Sequence, residues 1–238
     1  MSNEIILGLI TFLTSGMTAM IGVGGGMVLI AIVPSLLPAA AIIPIHAINQ
    51  WTSNFSRAFF SYKDVQLKVI PMFLLGSVIG VMCMSVVIYF ISLSYIPVFI
   101  GLYILLSLHS EVFKQKLRKF ENYFIIGFFQ TGLSMVVGAT GPLSMALLLK
   151  EFKDGNKVIA TQAALMSFTH IFKIITFMFF GFVFSEYIWI ILSMMTGSIL
   201  GSYVGTKFRK KINTEKITKI LKVLLTLLAI KAILSVFW

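Results

Sequence analysis

Gly22-Val23-Gly24-Gly25-Gly26 interrupts the first apolar run of the chain, and Gly138-Ala139-Thr140-Gly141-Pro142 interrupts a later one in the same way. The spacing between these stretches, 116 residues, recurs around them. Ser15-Gly16-Met17-Thr18 maps onto Thr131-Gly132-Leu133-Ser134, and Asn54 and Arg57 map onto His170 and Lys173. A register running from Gly22 to Arg57 therefore coincides with one from Gly138 to Lys173 without a gap. Each copy breaks an apolar helix with glycine, then places a cation on a second hydrophobic helix. Two halves with broken helices at their interface form the pattern of a transporter that binds a solute there.

Composition places the chain in a membrane. Hydrophobic residues make up 58% of its 238 residues, charged ones 11%, and the mean hydropathy is +1.00. A soluble domain could not cover such a core with polar surface. Eight apolar segments follow one another, at about 4–37, 41–61, 68–91, 94–108, 122–149, 157–183, 186–206 and 216–237. Runs of about 20 residues cross a hydrocarbon layer of roughly 30 Å. The net charge of +11 would suggest nucleic acid in a soluble protein. Here the cations sit in short loops, where they set orientation and meet anionic lipid. Cys83, the one cysteine, excludes a disulfide within the chain. No Lys or Arg precedes the first apolar run, so that segment is expected to be retained rather than cleaved.

Loop charge selects the topology. Basic residues collect in the second loop (Lys63, Lys68), the fourth (Lys114, Lys116, Arg118, Lys119), the fifth (Lys150, Lys153, Lys157) and the seventh (Lys207, Arg209, Lys210, Lys211). Eight single crossings would put these loops on both faces, against the positive-inside rule. The conflict vanishes if segments one and five each enter and leave on one side, as a re-entrant hairpin or a pair of short helices. The expected fold class is thus an all-α integral membrane protein of two inverted-topology repeats. Each is a glycine-broken, hairpin-like helix followed by three transmembrane helices. The first repeat spans 1–108, a cytoplasmic linker 109–121, and the second repeat 122–238, with both termini outside. A second echo, Gly76-Ser77-Val78-Ile79-Gly80 against Gly197-Ser198-Ile199-Leu200-Gly201, has the small-residue spacing that lets helices pack closely in lipid.

The polar residues concentrate on two segments. His46, Gln50, Ser53, Asn54 and Arg57 share one helix face, with Asn49 beside them. The later stripe is Gln162, Thr169, His170 and Lys173. Such stripes face a bundle interior or a wet path, or serve as interhelical hydrogen bonds. Lys173 lies deep in its segment, and all eight Asp and Glu residues fall in loops or at segment ends. A cation at that depth costs at least about 2.5–3.5 kcal/mol, to be offset by a bound anion or a helix C-terminus. Arg57 lies close enough to Lys63 to reach headgroups instead. His46 and His170 are either proton carriers or hydrogen-bonded packing residues. A helix that starts at the glycine breaks offers unpaired N–H groups to an anion, and Gly24, Gly25 and Gly26 allow close approach.

These stretches carry a resemblance. Met20-Ile21-Gly22-Val23-Gly24-Gly25-Gly26-Met27-Val28, its half-repeat Val137-Gly138-Ala139-Thr140-Gly141-Pro142, and His170 with Lys173 resemble the sulfite exporter TauE/SafE family of permeases over essentially the full length. The resemblance implies transport of a small sulfur-containing anion such as sulfite, thiosulfate or an organosulfonate. The expected substrate-binding residues are Gly22, Gly24, Gly25, Gly26, Asn49, Gln50, Asn54, Arg57, Gly138, Thr140, Gly141, Gln162, His170 and Lys173. No catalytic residue, metal or cofactor is expected. The expected function is a secondary transporter in the cytoplasmic membrane, with a passive anion channel as the alternative. Its partners are the anion and membrane lipid.

Overall fold

A computed structural model of the chain describes residues 3–118, 121–209 and 214–236. Lys119, Lys210 and Lys211, used in the topology expectation above, lie outside the described residues. Within them are eleven α-helices and no strand. These are α1 (Asn3–Ile21), α2 (Gly25–Ile32), α3 (Ala39–Phe60), α4 (Ile70–Tyr89), α5 (Ile96–His109), α6 (Glu111–Arg118), α7 (Tyr123–Val137), α8 (Pro142–Glu151), α9 (Gly155–Phe179), α10 (Ile188–Phe208) and α11 (Thr214–Leu234). Four helical stretches, at 3–21, 67–88, 155–179 and 184–208, are long and apolar enough to cross a membrane. α5 and α7 are shorter, and at 1.5 Å per residue reach only about 21–23 Å. The expected linker 109–121 contains the short amphipathic α6 rather than coil.

Both glycine-broken segments are helix pairs that fold back on themselves. α1 ends at Ile21 and α2 begins at Gly25, whose missing side chain lets α2 press against the Thr14 carbonyl, two turns back along α1. α7 breaks after Val137. Its returning partner α8 ends with Glu151 accepting a hydrogen bond from Tyr123 Oη, 2.5 Å away at the start of α7. Local sequence supports these boundaries. Asn122 caps α7 by accepting from Phe124 N at 2.8 Å, Asp154 caps α9 through Asn156 N at 2.9 Å, and Pro142 opens α8 where no N–H is needed.

The helices interlock across the two halves. Among the most extensive pairings are α1 with α10, α4 with α7, and α3 with α9. The first two are close because glycines face backbone carbonyls. Gly197 and Gly201 meet the carbonyls of Gly8 and Phe12, while Gly76 and Gly80 meet those of Phe124 and Phe128. The same hydroxyl contact appears in both: Ser15 Oγ donates to Ser198 Oγ at 3.2 Å, and Thr131 Oγ1 to Ser77 Oγ at 2.8 Å. Small residues and hydroxyls do here what apolar burial cannot do in lipid.

The basic connections gather at one end. Gln66 N donates to Thr161 Oγ1 at 2.9 Å, Lys68 pairs with Glu151 at 2.7 Å, and Lys150 with Glu121 at 3.0 Å. Arg209 Nε donates to Ala19 O at 2.8 Å, at the end of α1, with Asp64 within electrostatic reach. At the other end Ser193 Oγ donates to Glu4 O at 2.7 Å, and Lys231 Nζ to Ser35 Oγ at 3.1 Å. Large apolar side chains such as Leu9, Leu13, Leu75, Met82 and Leu227 are exposed on the outside. The polar side chains of α3, and those of α9 from Thr161 to Thr176, are buried, the distribution expected of a bundle immersed in lipid. α9 is the most enclosed of the four long stretches, with 67% of its apolar window buried against 28–39% for the others.

Candidate functional site

Between the two breaks lies a cavity of about 30 Å³, room for roughly two water-sized groups. Gly22, Val23, Gly24, Gly26 and Met27 wall one side; Ala139, Gly141 and Pro142 wall the other. α3 contributes Gln50, Asn54 and Arg57, α9 contributes Gln162, Met166 and His170, and Thr18 closes the end of α1. The breaks depend on backbone that only glycine adopts readily: φ is +97° at Gly22, +105° at Gly24 and +79° at Gly138. Leaving the helical path there turns the chain back and brings the two breaks together.

The cavity carries side-chain nitrogens without partners. Arg57 is 1% exposed and its Nη2 donates to Asn54 Oδ1, while Nε and Nη1 have no partner. Both ring nitrogens of the buried His170 are unpartnered as well. His46 packs edge-on to His170 at 5.9 Å, and its Nε2 donates to Gly26 O at 3.0 Å, which fixes the proton on that nitrogen. Among the described residues no Asp or Glu is buried. A buried guanidinium with two free donors and no carboxylate has the chemistry that suits an anion.

Of the fourteen residues expected to bind substrate, the cavity brings together Gly22, Gly24, Gly26, Gln50, Asn54, Arg57, Gly141, Gln162 and His170. The other five lie behind it. Gly25 is the contact point of α2 on α1. Asn49 turns toward α10, where its Oδ1 accepts from Ser198 Oγ at 2.5 Å. Thr140 Oγ1 donates to Gln130 O at 2.9 Å. Lys173 Nζ donates to Gly138 O at 2.8 Å and Ser134 O at 3.3 Å. Of the two compensations open to Lys173, anion or helix C-terminus, it has the second: it closes the end of α7 beside Gly138.

Sequence reasoning missed Gln130. Its Oε1 accepts from Ser144 N at 3.0 Å and its Nε2 donates to Thr169 Oγ1 at 3.3 Å, which ties α7, α8 and α9 together. Ser144 Oγ in turn donates to Gln162 Oε1 at 2.7 Å, and Gln162 Nε2 to Gly141 O at 2.9 Å. The first turn of α8 is thereby occupied by protein groups. The lone amide of α7, in a helix whose other interior polar groups are hydroxyls, is the signal that could have found Gln130. Thr18 and Met166, also unassigned beforehand, sit one turn from assigned residues.

Compared with known proteins, the chain matches the family model described as Sulfite exporter TauE/SafE over residues 7–232. No curated protein and no solved structure matches it.

Proposed function

The chain belongs to the sulfite exporter TauE/SafE family, and from that premise we propose that it is a secondary transporter of a small sulfur oxyanion, sulfite first among them. Membership makes it a multi-pass membrane transport protein. The observation that carries the finer reading is Arg57: a buried cation with two unpartnered donors, facing a cavity that no carboxylate neutralises. His170, Gln50, Asn54 and Gln162 complete the lining. A cavity of about 30 Å³ favours a compact oxyanion over a long-tailed sulfonate.

The same proposal includes an inverted repeat in the cytoplasmic membrane, with the basic connections inside. The pairing of α1 with α10 and of α4 with α7, the repeated hydroxyl contact, and the clustering of Lys68, Lys150 and Arg209 at one end support it. In proteoliposomes preloaded with unlabelled sulfite, external labelled sulfite is expected to accumulate transiently and saturably. Uptake that rises linearly with concentration and shows no counterflow would make the protein a channel. No sulfite movement at all, with thiosulfate or sulfonate moving instead, would reassign the substrate.

A further inference from the structure

Arg57 and Lys173 occupy equivalent positions in the two halves, yet they are used differently. Lys173 closes the end of α7 on Ser134 O and Gly138 O. The residues 116 positions earlier are Thr18 and Gly22, and both line the cavity together with Arg57. The two helix ends share a local geometry as well: Gly22 N donates to Thr18 O at 2.7 Å, and Gly138 N to Ser134 O at 3.0 Å, each glycine with positive φ. Thr18 O and Gly22 O form a second carbonyl pair of the kind Lys173 uses, at the cavity that Arg57 also lines, while Arg209 Nε holds Ala19 O in the same last turn.

The surroundings are unequal in the same sense. Val23 and Gly24 at the first break are only partly buried, whereas Ala139 and Thr140, 116 positions later, are buried. Gly22 lies under Met145 and Ile159; Gly138 lies under Ile30 and Ile43. Ile159 and Ile43 are again 116 apart, but Ile159 is half-buried and Ile43 is 1% exposed. At Val23, Gly24 and Ile159 the first break is thus more open than the second is at Ala139, Thr140 and Ile43.

We propose that Arg57 and Lys173 exchange roles as the protein turns from one face to the other. In the form described here Lys173 closes α7 and Arg57 meets the anion; in the opposite form Arg57 closes α1 on Thr18 O and Gly22 O, and Lys173 meets the anion. Each cation is a positioning residue in one form and an anion ligand in the other. A helix C-terminus that loses a cation is disfavoured by its own dipole. Removing one cation therefore biases the equilibrium toward the form in which the other does the closing. The inference rests on the transporter reading, but its test uses no anion.

The reporter is Ile43→Cys in a Cys83→Ser background, in sealed vesicles, treated with an impermeant thiol reagent from the face opposite the basic connections. Arg57→Gln removes the closing cation of the opposite form, so labelling should fall about tenfold. Lys173→Gln removes the closing cation of the form described here, so labelling should rise by a similar factor. Lys173→Arg, which keeps the charge, should return it toward the parent. Shifts in the same direction for both variants, or in neither, would overturn the exchange. If Lys173→Gln cannot be recovered in membranes, Arg57→Gln decides alone, and unchanged or increased labelling refutes the proposal. Labelling that shifts as expected in a protein that moves no sulfite would overturn only the substrate assignment.

Discussion

Lys173 and Arg57 face the same cost of burial and meet it unequally. Placing a cation at membrane depth costs at least about 2.5–3.5 kcal/mol, and a hydrogen bond to a charged group returns roughly 1.5–3 kcal/mol. Lys173 has two such bonds, to Gly138 O and Ser134 O, at the negative end of α7. Arg57 has Asn54 alone. The balance therefore closes for Lys173 and stays open for Arg57 until an anion arrives. Arg57→Gln should raise the melting temperature of the anion-free protein in detergent, and weaken sulfite binding by tenfold or more. Lys173→Gln should lower that melting temperature, because it removes the cation from the negative end of α7 and its bond to Gly138 O. A thermal melt with and without sulfite reads both signs. That both cations lie at depth is legible from their positions in apolar runs. Which of them is already compensated is not, because the answer lies in backbone carbonyls that no side-chain pattern reveals.

At the level of elements, the two breaks are legible and the fine roles of their glycines are not. Glycine clusters inside apolar runs announce the turns at 22–24 and 138–141. Gly25 looks like part of the anion cradle in sequence, but a side chain there would run into Thr14 O and Thr18 Oγ1. Gly25→Val should lower the melting temperature by forcing α2 off α1, and transport should fail with it. Gly26 differs: an added Cβ would lie 2.7 Å from Gln50 Oε1, the movable end of a flexible side chain. Gly26→Ala should keep the fold and weaken sulfite affinity several-fold, so the pair of variants separates the turn from the cavity by melting and binding measurements. The glycine pairs at 76/80 and 197/201 do what their spacing suggests. Gln130 shows the limit of such reading: one amide in an apolar helix indicates a buried partner without naming Ser144 or Thr169.

For the whole molecule, single cysteines at Lys63 and Lys153 in a Cys83→Ser background should label from one face, and one at Ser92 from the other. Lys63→Cys and Lys153→Cys labelled from opposite faces would break the inverted arrangement. The interlocking of the halves also bears on how the protein is made. α1 leaves the ribosome long before its main partner, α10, which begins at Ile188. At about 5–20 residues per second, the wait is on the order of ten to thirty seconds. Through that time Thr11, Ser15 and the glycine face of α1 have none of the groups they later contact on α10: Met194 O, Ser198 and the glycines at 197 and 201. α4 waits only for α7, three helices later. Of the described helices, α1 thus waits longest for its main partner. A nascent chain arrested before residue 188 should expose α1 to membrane proteases, and release from that vulnerability is tied to the emergence of α10.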